Sequence, residues 1–182
     1  MFTNEEYIKY ELEMDTKLID FLIASGRLNQ NVEKYKIMQD VYNQYDVAFK
    51  KMLDTIDFCD TLNHIAEWQK NGIKIAIVST SKRKYLNIFL NQYKDYMKFS
   101  CILCREDVRQ LKPNPMIYLQ ALAMLRLAPI ECLGIEDSVR GVSSAIAAKV
   151  NVVKVVENAL TTSDFFLYQD IPVVNSIKDI IL

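Results

Sequence analysis

Ile73-Lys74-Ile75-Ala76-Ile77-Val78-Ser79-Thr80-Ser81-Lys82 is the stretch whose reading decides the fold. It is entered from Asn71-Gly72, a helix stop. It runs as a short, isoleucine-rich apolar segment and then turns abruptly to hydroxyl residues. A run of this length, bounded by turn residues and rich in β-branched side chains, reads as a buried strand, Ile73 to Val78, feeding a turn and a helix from Ser81 to about Gln92. The same texture repeats downstream. Phe99 to Leu103 and Cys132 to Ile135 read as strands. Pro115 to Leu127 reads as a helix carrying Ile117, Leu119, Ala121, Leu122 and Leu125, and Val139 to Lys149 as an alanine-rich helix. Val152 to Val156 and Ile171 to Val174 read as strands, and Ser176 caps a last helical turn. Just upstream, Asp60 is placed to cap a helix through Leu62, Ile65, Ala66 and Trp68. Short apolar strands alternating with helices imply right-handed βαβ units: an α/β fold with a parallel sheet covered by helices on both faces.

Before residue 57 the texture is helical only. Ile8, Leu12, Asp15, Ile19 and Leu22 fall at helical spacing, and Ser25-Gly26 ends the pattern with a glycine suited to a left-handed cap. A second helix after Asn29 to Asn31 carries Val32, Tyr35, Met38, Tyr42, Tyr45, Phe49 and Met52 on one broad face, which reads as a helix–helix packing surface. The expected division is therefore a helical segment, 1–56, and an α/β segment, 57–182.

Composition narrows the function classes. The 182 residues are 51% hydrophobic and 25% charged, enough apolar surface for a core. A formal net charge of −1 gives no field for nucleic-acid binding. No run approaches the length of a membrane span, and Met1 to Tyr10 holds no apolar signal segment, so a cytoplasmic protein with reduced thiols is expected. Cys101 and Cys104 form one CxxC with no second pair. His64 is the only histidine, so no zinc site is expected. Cys101 and Cys132 read as small core residues on strands, and His64 as a packing residue beside Ile65 and Trp68.

In open α/β sheets, ligands bind beyond the carboxyl ends of strands. The first such end carries Ser79, Thr80 and Ser81, hydroxyls and N–H groups at a helix start. They suit a phosphate group, although a Ser or Thr there also serves as a simple cap. The loop after the second strand ends in Leu111-Lys112-Pro113-Asn114-Pro115. A lysine beside two prolines is rigidly aimed and can neutralise a phosphoryl group, or be a solvated lysine ahead of a helix. The third strand ends in Glu136-Asp137-Ser138. Adjacent carboxylates there suit a hard cation such as Mg²⁺, and Gly141 lets the next helix pack close.

Together these three signals resemble the haloacid-dehalogenase-like (HAD) superfamily of phosphatases and phosphomutases, in its β-phosphoglucomutase-like branch with a helical cap. NGIKIAIVSTSKR, LKPNPMIYLQAL and LGIEDSVRGVSSAIAA look like that family's second, third and fourth motifs, and the resemblance covers residues 57 to 160. It implies a HAD-like Rossmannoid core with a partial cap at residues 1–56. It implies Mg²⁺-dependent phosphoryl transfer on a small phosphorylated metabolite. Ser79 would bond the phosphoryl oxygens, Lys112 would stabilise the phosphoryl group and nucleophile, and Glu136 and Asp137 would hold Mg²⁺ directly or through water. The cap would close over the site and select the substrate.

The family's first motif, a strand ending in Asp-x-Asp whose first aspartate is the nucleophile, has no counterpart among these residues. Asp57-Phe58-Cys59-Asp60-Thr61-Leu62 resembles it, but its aspartates are three apart and the residues before it are helical in pattern. In the family that first strand lies between the strands ending at Ser79 and Ile135. Three outcomes are expected to compete: a truncated enzyme; completion by another polypeptide, an oligomer or a swapped element at the exposed sheet edges; or closure of the two flanking strands on each other across about 4.8 Å, giving a non-catalytic phosphate- or Mg²⁺-binding or interaction protein.

Overall fold

The structure, a computed structural model, describes residues 19–31, 33–96, 98–156 and 170–182. It divides into two compact units, Met1–Asp57 and Phe58–Leu182.

In the first unit residues 19–24 are helical. The chain then turns through Gly26 at φ +70°, where the Arg27 and Leu28 amides both donate to the Leu22 carbonyl (2.9 and 3.1 Å). Helix α1, Lys34–Thr55, follows. Ile19, Met38 and Leu53 are the buried apolar residues here, while Tyr35, Tyr45 and Met52 of the expected packing face are exposed. The face is thus narrower than the spacing implies, and Tyr45 instead stacks along its own helix on Phe49, centroids 6.2 Å apart. Ile8, Leu12, Asp15 and Val32 lie outside the described residues.

The second unit alternates strands and helices: α2 (Cys59–Lys70), β1 (Ala76–Val78), α3 (Arg83–Tyr93), β2 (Cys101–Leu103), α4 (Met116–Leu125), β3 (Leu133–Glu136), α5 (Val139–Ala147), β4 (Asn151–Val155) and β5 (Val173–Val174). All strand pairs are parallel. They form two sheets, β1-β2 and β3-β4-β5, with Val78 beside Leu103 in the first and Glu136 beside Lys154 in the second. The fold is α/β, as the alternation implies.

Side-chain alternation shows how the two sheets stay together. Odd-numbered positions Ile73, Ile75, Leu133, Ile135, Val153 and Val155 share one cluster with Ile65 and Trp68 of α2. Even-numbered Ala76, Val78 and Val152 turn the other way, into the cluster of Ile117, Ala121, Leu122, Val142 and Ala145 on α4 and α5. The strands are therefore apolar on both faces, as parallel strands under helices must be. Both sheets lie between the same two helical layers, yet β1 pairs with β2 and β3 pairs with β4, not with each other. Direct closure of β1 on β3 does not occur.

Three local expectations are corrected. Asp60 does not cap α2. Phe58 is held edge-on by Phe89 and Tyr93 (centroids 5.6 and 5.8 Å), and its carbonyl accepts from the Leu62 amide at 2.9 Å. The helix therefore starts at Cys59, and Asp60 stands in the first turn, where its charge favours the helix dipole. Leu119 is half exposed, because α4 buries the stripe Ile117, Tyr118, Ala121 and Leu122. Cys132 precedes β3 and is only half-buried, whereas Cys101 is buried within β2. His64 packs edge-on against Trp68 (5.0 Å), with Nε2 3.3 Å from the Ile180 carbonyl.

Candidate functional site

The strand ends converge on one lysine. Lys112 Nζ donates to the Val78 carbonyl at the end of β1 (2.9 Å) and to Oε1 of Glu136, the last residue of β3. Both side chains are buried, 9% and 6% exposed, so this ion pair is shielded from solvent rather than screened by it. Lys112 is no solvated lysine ahead of a helix.

The loop that aims it is clamped from α5. Arg140 donates through Nε (2.9 Å) and Nη2 (2.5 Å) to the Lys112 carbonyl, and Ser144 Oγ donates to the Asn114 carbonyl at 2.7 Å. Asn114 Oδ1 in turn accepts from the Met116 amide (2.9 Å), closing the start of α4. Ser138 is the N-cap of α5, its Oγ accepting from the Gly141 amide at 3.1 Å.

Glu136 is held through one oxygen. Oε1 accepts from Lys112 and from the Tyr118 hydroxyl, and Lys112 Nζ stands 5.3 Å from the Tyr118 ring centroid. Burial and the adjoining carboxylate push the Tyr118 hydroxyl above the ordinary phenol range, so it stays protonated and donates. Two glycines make the room. A Cβ at Gly134 would lie 3.2 Å from the Tyr118 hydroxyl, and one at Gly141 would overlap Oε2 and Cδ of Glu136 outright. Gly141 thus lets α5 pack close, as expected, and what it packs against is the Glu136 carboxylate.

The remaining residues named from sequence sit at the rim. Ser79 follows Val78 directly and is half-buried. Its amide donates to the Leu103 carbonyl (3.0 Å) and its Oγ accepts from the Ser81 amide (3.1 Å). Thr80, Ser81 and Asp137 are exposed. The start of α3 is already covered: the Arg83 amide donates to both Glu106 oxygens (2.8 and 3.0 Å), and the Arg83 guanidinium pairs with Asp107. Successive residues of a strand face opposite ways. Glu136 accordingly turns into the core and Asp137 out to solvent, and among the described residues no three His, Cys, Asp or Glu side chains gather to hold a metal.

Tyr118, Arg140 and Ser144 were not legible as site residues. Each falls at ordinary helical spacing, and only the path of the Lys112 loop shows what they bind. The cysteines belong elsewhere. Cys104 is fully buried and its thiol donates to Glu106 Oε2 and Asp107 Oδ2 (3.0 and 3.1 Å). Burial first, then those carboxylates, push its pKa far up. Because the thiol form is the stable one, raising the pH to 8 leaves Cys104 inert. Iodoacetamide at that pH is expected to label the half-buried Cys59 first and Cys104 last by peptide mass spectrometry.

The profile of the haloacid dehalogenase-like hydrolases matches residues 2–155. The chain belongs to the haloacid dehalogenase-like hydrolase family. YhcW of Bacillus subtilis is 38% identical over 95 residues, which are 52% of this chain and 43% of that protein. The bifunctional riboflavin kinase/FMN phosphatase of Arabidopsis thaliana is 30% identical over 129 residues, 68% of this chain and 34% of its relative. The chain thus spans less than half the length of either. The crystal structure of β-phosphoglucomutase from Clostridium difficile shares the fold, with a TM-score of 0.66 at 23% identity, covering 92% of this chain and 73% of that one. No described helix is long and apolar enough to cross a membrane.

Proposed function

We propose that this chain carries the phosphate-handling part of a cytoplasmic HAD-type phosphatase or phosphomutase acting on a small phosphorylated metabolite. The observation that carries the reading is Lys112, whose buried ammonium reaches the ends of β1 and β3 at once. In α/β sheets that is where a ligand binds, and a fixed cation there would stabilise the charge of a transferring phosphoryl group. Ser79, with Thr80 and Ser81, would supply hydroxyl and amide donors to the phosphoryl oxygens. The helical unit would serve as the cap that selects the substrate.

A Mg²⁺ ion keeps several waters and takes one or two carboxylates. Asp137, exposed at the end of β3, suits the role of direct ligand. Glu136, whose Oε1 already holds two donors, suits a supporting one through water or Lys112. The ion would supply charge neutralisation of the phosphate.

The nucleophile would come from elsewhere, because the 182 residues contain no Asp-x-Asp. A strand lodged between the edges of β1 and β3, which no described strand pairs, would bring it, from a neighbouring stretch of the same polypeptide or from a complementing chain. That same lack favours a second reading, a protein that binds phosphate or Mg²⁺ without turnover.

Assaying p-nitrophenyl phosphate hydrolysis with Mg²⁺ separates the two. Expected is no turnover by these 182 residues, phosphate binding in the millimolar range or tighter by calorimetry, and turnover once a strand ending in Asp-x-Asp is supplied upstream. Loss of phosphate binding together with an inactive extended chain would remove the enzymatic reading.

A further inference from the structure

Tyr118 touches both members of the Lys112–Glu136 pair. Its hydroxyl donates to Glu136 Oε1, the oxygen that also receives Lys112, and its ring face lies 5.3 Å from the Lys112 ammonium. Phenylalanine would fill the same space. The hydroxyl is instead accommodated at some cost to β3, where Gly134 leaves 3.2 Å between a notional Cβ and that oxygen. A carboxylate oxygen with two convergent donors has its orientation set, and the lysine paired to it is set in turn. We propose that Tyr118 is a positioning residue: it locks the Glu136 carboxylate and through it the Lys112 ammonium, so that the cation faces the strand ends in one orientation. Its role for a bound phosphate rests on the reading above; its hold on Lys112 does not.

The test needs no substrate. Lys112 is buried, 7% exposed over the whole residue, and Trp68, the one tryptophan of the sequence, is buried in the cluster on the opposite face of the strands. Acylation of Lys112 by an N-hydroxysuccinimide acetate, followed by peptide mass spectrometry, reports how often its ammonium leaves its place, and acrylamide quenching of Trp68 fluorescence reports general opening of the core. In Tyr118→Phe the hydrogen bond to a charged group is gone and the ring remains. The Lys112 rate is expected to rise about tenfold, with Trp68 quenching unchanged. In a Glu136→Ala background the same substitution is expected to add nothing, because the hydroxyl acts through that carboxylate. An unchanged Lys112 rate, an equal rise in Trp68 quenching, or the full rise without Glu136 would each overturn the proposal. Titration with inorganic phosphate in Mg²⁺ then tests the link to function, with several-fold weaker binding expected in Tyr118→Phe. Equal binding by both proteins would overturn that link. A wild-type chain that binds no phosphate would count against the functional reading, while the acylation rates still decide what Tyr118 holds.

Discussion

Lys112→Met is expected to lower the unfolding free energy by about 3–5 kcal/mol, because it leaves a buried carboxylate without its counter-charge. Methionine nearly matches the volume of the lysine stem, so the loss is electrostatic rather than a cavity effect. An orphaned Val78 carbonyl adds to it. The magnitude follows from burial: an exposed pair contributes at most about 1 kcal/mol, whereas Lys112 and Glu136 are 9% and 6% exposed. Lys112→Met with Glu136→Gln removes both charges, and the amide oxygen of the introduced glutamine still accepts from Tyr118. Recovery of most of the loss is expected in the double variant. Urea unfolding checks both statements. A single variant within about 1 kcal/mol of wild type, or a double variant as unstable as the sum of its parts, would show that the pair is not shielded.

The same pair shows what was legible in the sequence. Ser79, Lys112 and Glu136 can be placed from one-dimensional signals, since each follows a short apolar run and strand ends are where polar groups gather. The Val78 carbonyl, one residue before Ser79, and the Glu136 carboxylate then meet at the Lys112 ammonium. What could not be read lies in the approach of one element to another. Tyr118 shares a helical stripe with Ile117, Ala121 and Leu122, and nothing in that spacing separates a core aromatic from one whose hydroxyl meets a carboxylate. Its destination depends on Gly134, sixteen positions away on β3, and on Glu136 two residues beyond. Arg140 reaches back to the Lys112 carbonyl across a loop no local pattern describes. Asp60 fails as a cap for a similar reason: the packing of Phe58 against Phe89 and Tyr93 sets the start of α2 two residues too early.

The divided sheet is the other lesson. Alternation along β3, β1 and the residues leading into β1 assigns Ile73, Ile75, Leu133 and Ile135 to one helical layer and Ala76, Val78 and Gly134 to the other. That assignment is independent of whether the two strands meet. Hydrophobic burial against shared helices holds the sheets in one unit without hydrogen bonds between β1 and β3. Lys112 then ties the ends of these two strands together by a side chain, where a ladder would use backbone. Stability near the site thus depends on side-chain electrostatics, and small steric changes around Glu136 carry large effects.

Gly141→Ala is the sharpest of these, because two known effects oppose each other there. Alanine in a helix is favoured over glycine by up to about 1 kcal/mol, which on α5 alone would stabilise the protein. Against this, the new Cβ would overlap Oε2 and Cδ of Glu136 and stand only 3.0 Å from Oε1. A long side chain can often swing away from such a clash. Glu136 cannot, since Lys112 and Tyr118 both hold Oε1 and it is buried behind them. Either the ion pair opens, at about 3–5 kcal/mol, or α5 shifts and strains the Arg140 and Ser144 bonds to the Lys112 loop. The clash wins, and a net loss of at least about 2 kcal/mol is expected, from the pair's rupture less the helix gain. The decisive check is a reversal of sign. In a Lys112→Met/Glu136→Ala background no carboxylate stands in the way, and Gly141→Ala is expected to become neutral or stabilising by up to about 1 kcal/mol. Urea denaturation of the four proteins measures it. A loss of the same size in both backgrounds would place the constraint in the α5 backbone rather than in the Glu136 side chain.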